Sequence, residues 1–291
     1  MADLESPIQF THGALLIGWT FATLLYGLTC SQTVTYFRRY ARDHLYLKAT
    51  VVILWILETV HLVLLSTSLY HYLVRQHGRQ SALVPPTIAM KIQLIPASMV
   101  VGTVQYIWIM RVWTLSRNRF KTYIAYAMLS MVVADWVISL TWFANIIPIH
   151  TFEGLTQQLW HVILAIALTT LTDVIITGYF CYVAHKARDG LPGTDTLVNK
   201  LMIYGINTGV VTAFGTIGLL ISVVTAPKRL YYIAIYMVLP KLYLNTHLAM
   251  LNFRKSAQSS SMAHRYYGEG SAFELTTVPL ATLSRYTHFG D

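Results

Sequence analysis

Apolar positions along this chain collect into seven long runs, at roughly 13–36, 49–73, 87–110, 122–147, 158–184, 200–225 and 230–251. About twenty apolar residues in helical form cross the hydrocarbon core of a bilayer, so each run predicts one membrane span. Pro85-Pro86 and Pro192-Gly193 punctuate the intervening segments, whereas Pro96 and Pro240 fall inside runs, where neighbouring helices tolerate a kink. In lipid every span has to satisfy its own backbone hydrogen bonds, so the pattern predicts an all-α, seven-transmembrane helix bundle forming one membrane domain over 1–253. From residue 254 to 291 the apolar periodicity stops and Ser, Thr and Gly become frequent, which predicts a disordered, phosphorylatable tail.

Charge sets the expected orientation. The loops after the first, third and fifth runs and the tail hold fifteen Lys and Arg, while the opposite side holds four: Arg75, Arg79, Lys228 and Arg229. By the positive-inside rule the N-terminus lies outside and the C-terminus in the cytosol. Composition agrees with a membrane chain: 55% hydrophobic and 11% charged, where a soluble domain carries about a quarter charged residues. The net charge of +9 is spread through loops and forms no nucleic-acid patch. Cys30 and Cys181 sit in apolar runs near the cytosolic ends, so reduced, packed thiols are expected. MADLESPIQF has acids where a secretory signal has basic residues, and no cleaved signal peptide is expected.

The remaining two basic residues, Lys91 and Lys241, fall inside spans. Lys91 is close to the outer end of its run and is expected to snorkel toward water; Lys241 sits at the middle of YYIAIYMVLPKLYLNTHLAMLNFRK. Ionisable groups in a bilayer core cost a few kcal/mol each and therefore face inward and find partners. The candidates for a ligand-binding or structural polar core are Glu58 and His61 on one face of the second span, Asp135 in the fourth, Asp173 in the fifth and Asn207 in the sixth. The seventh contributes Lys241 and Asn245. Thr169 and Thr177 flank Asp173 at one turn, and Thr208, Thr212 and Thr216 continue the Asn207 stripe. Lys241, Asn245 and Asn252 recur on one face. Lys241 is expected to pair with Glu58, Asp135 or Asp173, either to hold helices in register or to serve a ligand or proton. His12, His150 and His161 read as polar residues of the outer surface.

Several chemistries do not fit. A retinal Schiff base on Lys241 would want a counter-ion from the third span, and TIAMKIQLIPASMVVGTVQYIWIM has no acid. Metal hydrolysis would need three converging ligands, and no second histidine stands at helical spacing from Glu58 and His61. No Ser/His/Asp or Cys/His set and no phosphate-cradling glycine loop is recognisable, so no catalytic residue, cofactor or metal is expected. The motifs common in G-protein-coupled receptors are missing: the third span ends IMRVW, and the seventh lacks Asn-Pro-x-x-Tyr.

Thr194-Asp195-x-Leu197-x-Asn199-Lys200, Asn207-Thr208-Gly209 and Lys241-x-Tyr243-x-Asn245, continuing into Leu248-Ala249 and Leu251-Asn252, form a C-terminal signature. It resembles that of a basidiomycete fungal family of seven-span membrane proteins known only as a domain of unknown function. The first span is also similar, through Gly13, Gly18, Tyr26-Gly27, Gln32 and Tyr36. The resemblance implies a fungal integral membrane protein and brings no activity with it. Ligand sensing or receptor-like signalling is the leading expectation, from the topology, the polar centre and the Ser-rich tail. The alternatives are a small-solute or proton-coupled carrier using Glu58, Asp135, Asp173 and Lys241, and a scaffold with a structural polar core. Expected partners are the lipid bilayer, a small-molecule ligand and a cytosolic partner of the tail, with no nucleic acid. The plasma membrane is the favoured location.

Overall fold

The computed structural model describes the backbone of residues 2–75, 86–116, 118–186, 192–226 and 231–268, and their side chains except those of 2–12, 152–153, 156, 192–202, 204, 207–208 and 254–268. All regular structure among them is helical: α1 (Ala2–Arg39), α2 (Leu45–Tyr70), α3 (Ile88–Ile92), α4 (Leu94–Leu115), α5 (Lys121–Ile146), α6 (Phe152–Gln157), α7 (Leu159–Lys186), α8 (Pro192–Thr225) and α9 (Tyr231–Gly268). A π turn over His71–Arg75 extends α2. Seven of these helices are long. Five stretches are long and apolar enough to cross a membrane, Gly13–Arg39, Leu45–Arg75, Ile88–Leu115, Lys121–Ile146 and Leu159–Lys186, and Gly209–Thr225 is a shorter apolar helix. The chain is an integral, multi-pass membrane protein by this measure.

Proline explains one irregularity. The third span is divided at Gln93 into α3 and α4. Pro96 has no N–H for the Ile92 carbonyl, so the helix restarts with the proline in its first turn, where a missing donor does no harm. Thr87 caps α3 by accepting the Met90 N–H at 3.2 Å.

Cross-helix contacts give the directions. Trp19 with Ser66 and Tyr26 with Thr59 run in opposite senses, making α1 and α2 antiparallel. Gln93 pairs with His61 and Thr87 with Ser68, so α4 reverses α2. Successive long helices continue to alternate, and α9 ends parallel to α1: Asn245 Nδ2 donates to the Leu25 carbonyl and Asn252 Nδ2 to that of Gln32, both at 2.9 Å and seven residues apart on each helix. Gly18 makes the approach close. A Cβ there would meet the Ala234 Cα at 2.7 Å, and Ala22 one turn on is fully buried, a small-xxx-small seam.

Helix α9 packs against α1, α2, α4 and α8 and is the buried axis of the bundle. Taking the end where α1 begins as the upper one, Leu15, Leu65, Val162, Leu219 and Met237 belong to an upper apolar cluster, and Tyr36, Leu54, Val104, Phe180 and Leu248 to a lower one. Between them lies a layer of buried polar residues including Glu58, His61, Asp135, Asp173 and Lys241. Outward faces are apolar, with Ile17, Leu24, Val174 and Phe214 more than half exposed. This inversion of the soluble pattern suits a lipid surround.

Two expectations differ from what is observed. Lys91 does not snorkel: it is 6% exposed, and its ammonium donates to the Ile147 and Ile149 carbonyls at 2.8 and 2.7 Å. Ile147 caps the C-terminal end of α5 and Ile149 lies in the turn just beyond it, where a cation also suits the helix dipole. His161 is buried rather than superficial, between α5 and α7, with Asn145 Nδ2 at 3.4 Å from its Nε2. Helix α9 is described as far as Gly268. Residues 269–291 and His12's side chain lie outside the described residues.

Candidate functional site

The polar layer is two separate centres. In the first, Lys241 from α9 meets α2: its Nζ lies 2.7 Å from Glu58 Oε2 and 2.6 Å from His61 Nδ1, and all three side chains are fully buried. An ammonium only donates, so Nδ1 has to accept, and the neutral imidazole carries its proton on Nε2. That Nε2–H donates to Gln93 Oε1 at 2.9 Å. The result is a relay, Glu58, Lys241, His61, Gln93, tying α9 to α2 and to the break between α3 and α4. Glu58 is therefore the acid that Lys241 meets. Asn245, one turn below, bonds to α1 rather than joining this centre; it also donates to the Lys241 carbonyl at 2.9 Å.

The second centre has no basic partner among the described residues. Asp173 of α7 accepts from Gln105 Nε2 of α4 at 2.8 Å and from the Tyr243 hydroxyl of α9. The Thr212 hydroxyl of α8 adds a third hydrogen bond, so four helices converge on one carboxylate. Asp135 of α5 is bonded by the Thr169 hydroxyl, yet its buried Oδ1 has no hydrogen-bond partner. Thr177 packs instead against Gly209, where a Cβ would collide with it. Asn207 lies on α8, but its side chain is outside the described residues.

Three small cavities follow the bundle downward. The upper one, about 50 Å³, is walled by Met90, Leu94, Trp142, Ile146, Leu155 and Tyr232, with Lys91 and Gln93 as its charged and amide members. The buried Trp142 Nε1–H at its wall has no acceptor among the described residues. The middle cavity, about 70 Å³, reaches Asp135, and the lower one, about 20 Å³, reaches Asp173. Tyr236 borders the upper and middle cavities, and Tyr243 the middle and lower ones. By roughly 10–15 Å³ of such volume per water, these spaces suit water, ions or molecules of a few heavy atoms.

Sequence reasoning missed Gln93, Gln105, Tyr243 and the role of Trp142. Gln93 and Gln105 interrupt an otherwise apolar run, and uncharged amides in lipid carry the same signal as charges at lower cost. The third span has no acid, and these two amides are its polar signal.

Residues 169–256 match the model of a family of unknown function, DUF6534. The match begins within α7 and takes in α8 and most of the described part of α9, so it holds Asp173, Thr212, Lys241, Tyr243 and Asn245. Glu58, His61, Gln93, Gln105 and Asp135 lie outside it. It covers less than a third of the 291 residues. No curated protein matches the chain.

Proposed function

We propose that this protein is a seven-span, receptor-like sensor, N-terminus outside and C-terminus cytosolic, of the basidiomycete family that its C-terminal signature resembles. The observation that carries the reading is the upper cavity, where Gln93 serves both as wall and as the last member of the Lys241 relay. On this reading the cavity takes a small apolar molecule with one acceptor oxygen, which completes the Trp142 N–H. A molecule seated there presses on Gln93. Withdrawing that acceptor from His61 weakens the hold on Lys241, and with it the register of α9 against α2. The alternation of seven long helices and the parallel run of α1 and α9 support opposite placement of the termini, and a plasma-membrane location follows from sensing.

The test compares acetone with isobutane, each of four heavy atoms and so within reach of about 50 Å³, in thermal unfolding of the purified protein in lipid nanodiscs. The ketone is expected to stabilise saturably and the hydrocarbon weakly, and Trp142→Phe should erase the difference. Equal stabilisation by both compounds, or an unchanged preference in the variant, overturns the reading.

One observation favours a second reading, an ion- or proton-coupled carrier: Asp135 and Asp173 have no basic partner among the described residues and stand on a row of cavities. Proteoliposomes loaded with a pH-sensitive dye separate the two, since a carrier gives flux that Asp173→Asn abolishes and a sensor gives none.

A further inference from the structure

The middle cavity is built for a charge it does not itself supply. Asp135 is 6% exposed, and its Oδ1 is beyond hydrogen-bonding reach of any described group. The hydroxyls of Ser98, Ser139, Thr169 and Thr216 share the cavity wall with it. Ser98 Oγ donates its proton to the Ile95 carbonyl at 3.0 Å, and Thr216 Oγ1 to that of Ala213 at 3.1 Å. Both oxygens are thus left as acceptors only. Thr169 gives its proton to Asp135 itself. Pro240, also in the wall, has no N–H for the Tyr236 carbonyl, which adds another acceptor without its helical donor.

A carboxylate and a set of acceptor oxygens attract a hard cation. A proton on Oδ1 would have no protein acceptor within reach. An alkali ion with two or three waters fits about 70 Å³ and spans the gap to the hydroxyls. One carboxylate balances one positive charge; a divalent ion would leave an uncompensated charge in the bilayer core. The other ionisable groups in this wall are Tyr236 and Tyr243, and Asp173 lies in the lower cavity, held by Gln105 and Tyr243; none of them is basic.

We infer that the cavity bounded by Asp135, Ser98, Ser139, Thr169 and Thr216 is a monovalent-cation site, with Na+ as the ion that fits it. The inference stands apart from the sensing role, since occupancy is measured with the ion alone.

Purified protein in nanodiscs is unfolded thermally in NaCl and in N-methyl-D-glucamine chloride at equal ionic strength and pH, and binding of 22Na+ is measured on the same samples. Saturable binding near one ion per chain is expected. So is an upward shift in Tm of about 2–3 °C at tenfold the dissociation constant. Asp135→Asn should abolish both. Ser139→Ala, which keeps the fold, should weaken binding several-fold, and Asp173→Asn should leave the site in place. Equal Tm in both salts with no bound 22Na+, or a response that survives Asp135→Asn, overturns the assignment, as does stability that follows pH alone, which would make a proton the occupant.

Discussion

Replacing Lys241 by methionine separates architecture from occupancy at the first polar centre. The substitution keeps most of the stem volume, so little cavity is created, but it leaves the Glu58 carboxylate, fully buried, without its counter-charge. Removing one partner of a buried ion pair costs about 3–5 kcal/mol, because the other charge stays in a medium that cannot solvate it. His61 Nδ1 also loses its donor. In Glu58→Met/Lys241→Met the stranded charge is gone and the orphaned histidine acceptor remains, a cost of about 1–3 kcal/mol. The double variant should therefore be more stable than the single one, the signature of a coupled pair. Reversible unfolding by SDS in mixed micelles, followed by tryptophan fluorescence, measures both. A Lys241→Met protein within about 0.5 kcal/mol of wild type would refute the structural role, and so would a double variant that loses the sum of the two single losses.

Asn245→Leu and Asn252→Leu should each cost about 0.5–1.5 kcal/mol in the same assay, and the losses should add, because the two contacts to α1 are separated by two helical turns. Gly18→Leu should be worse than either, since its side chain meets α9 backbone at Ala234 and the helices have to part; loss of disulfide cross-linking between cysteines placed at Leu25 and Asn245 reports the parting. Lys91→Met should cost about 1–3 kcal/mol by stranding the Ile147 and Ile149 carbonyls, whereas a snorkelling lysine would be silent. Epitope tags at the two termini should be accessible from opposite sides of the membrane; accessibility from one side would contradict the parallel α1 and α9.

The helices were legible in the chain because hydropathy over twenty residues is a strong signal, and the apolar runs near 49–73 and 122–147 foreshadow α2 and α5 closely. The partners of the polar residues were less legible. Spacing put Glu58 and His61 on one face, yet it could not choose among Glu58, Asp135 and Asp173 for Lys241, because that depends on which helices become neighbours. Lys241, Asn245 and Asn252 look like one stripe in sequence. In the bundle the lysine turns to α2 and the asparagines to α1, since α9 is enclosed and touches a different helix on each side. Lys91 differs for a related reason: its depth suggests water as the partner, while the end of α5 and the turn after it offer carbonyls closer by.

Pro240 gives the division into two centres a physical sense. It stands immediately before Lys241 on α9 and also lines the Asp135 cavity. A proline removes one helical hydrogen bond and loosens that turn. The turn is clamped on one side by Glu58 and His61, at 2.7 and 2.6 Å from the lysine, and on the other by Tyr243 bonded to Asp173. A cation beside Asp135 therefore sits against the turn of α9 that lacks one backbone hydrogen bond. A change in charge there has a short mechanical route to the Lys241 relay, through two consecutive residues rather than across the bundle, and from the relay through Gln93 to the upper cavity.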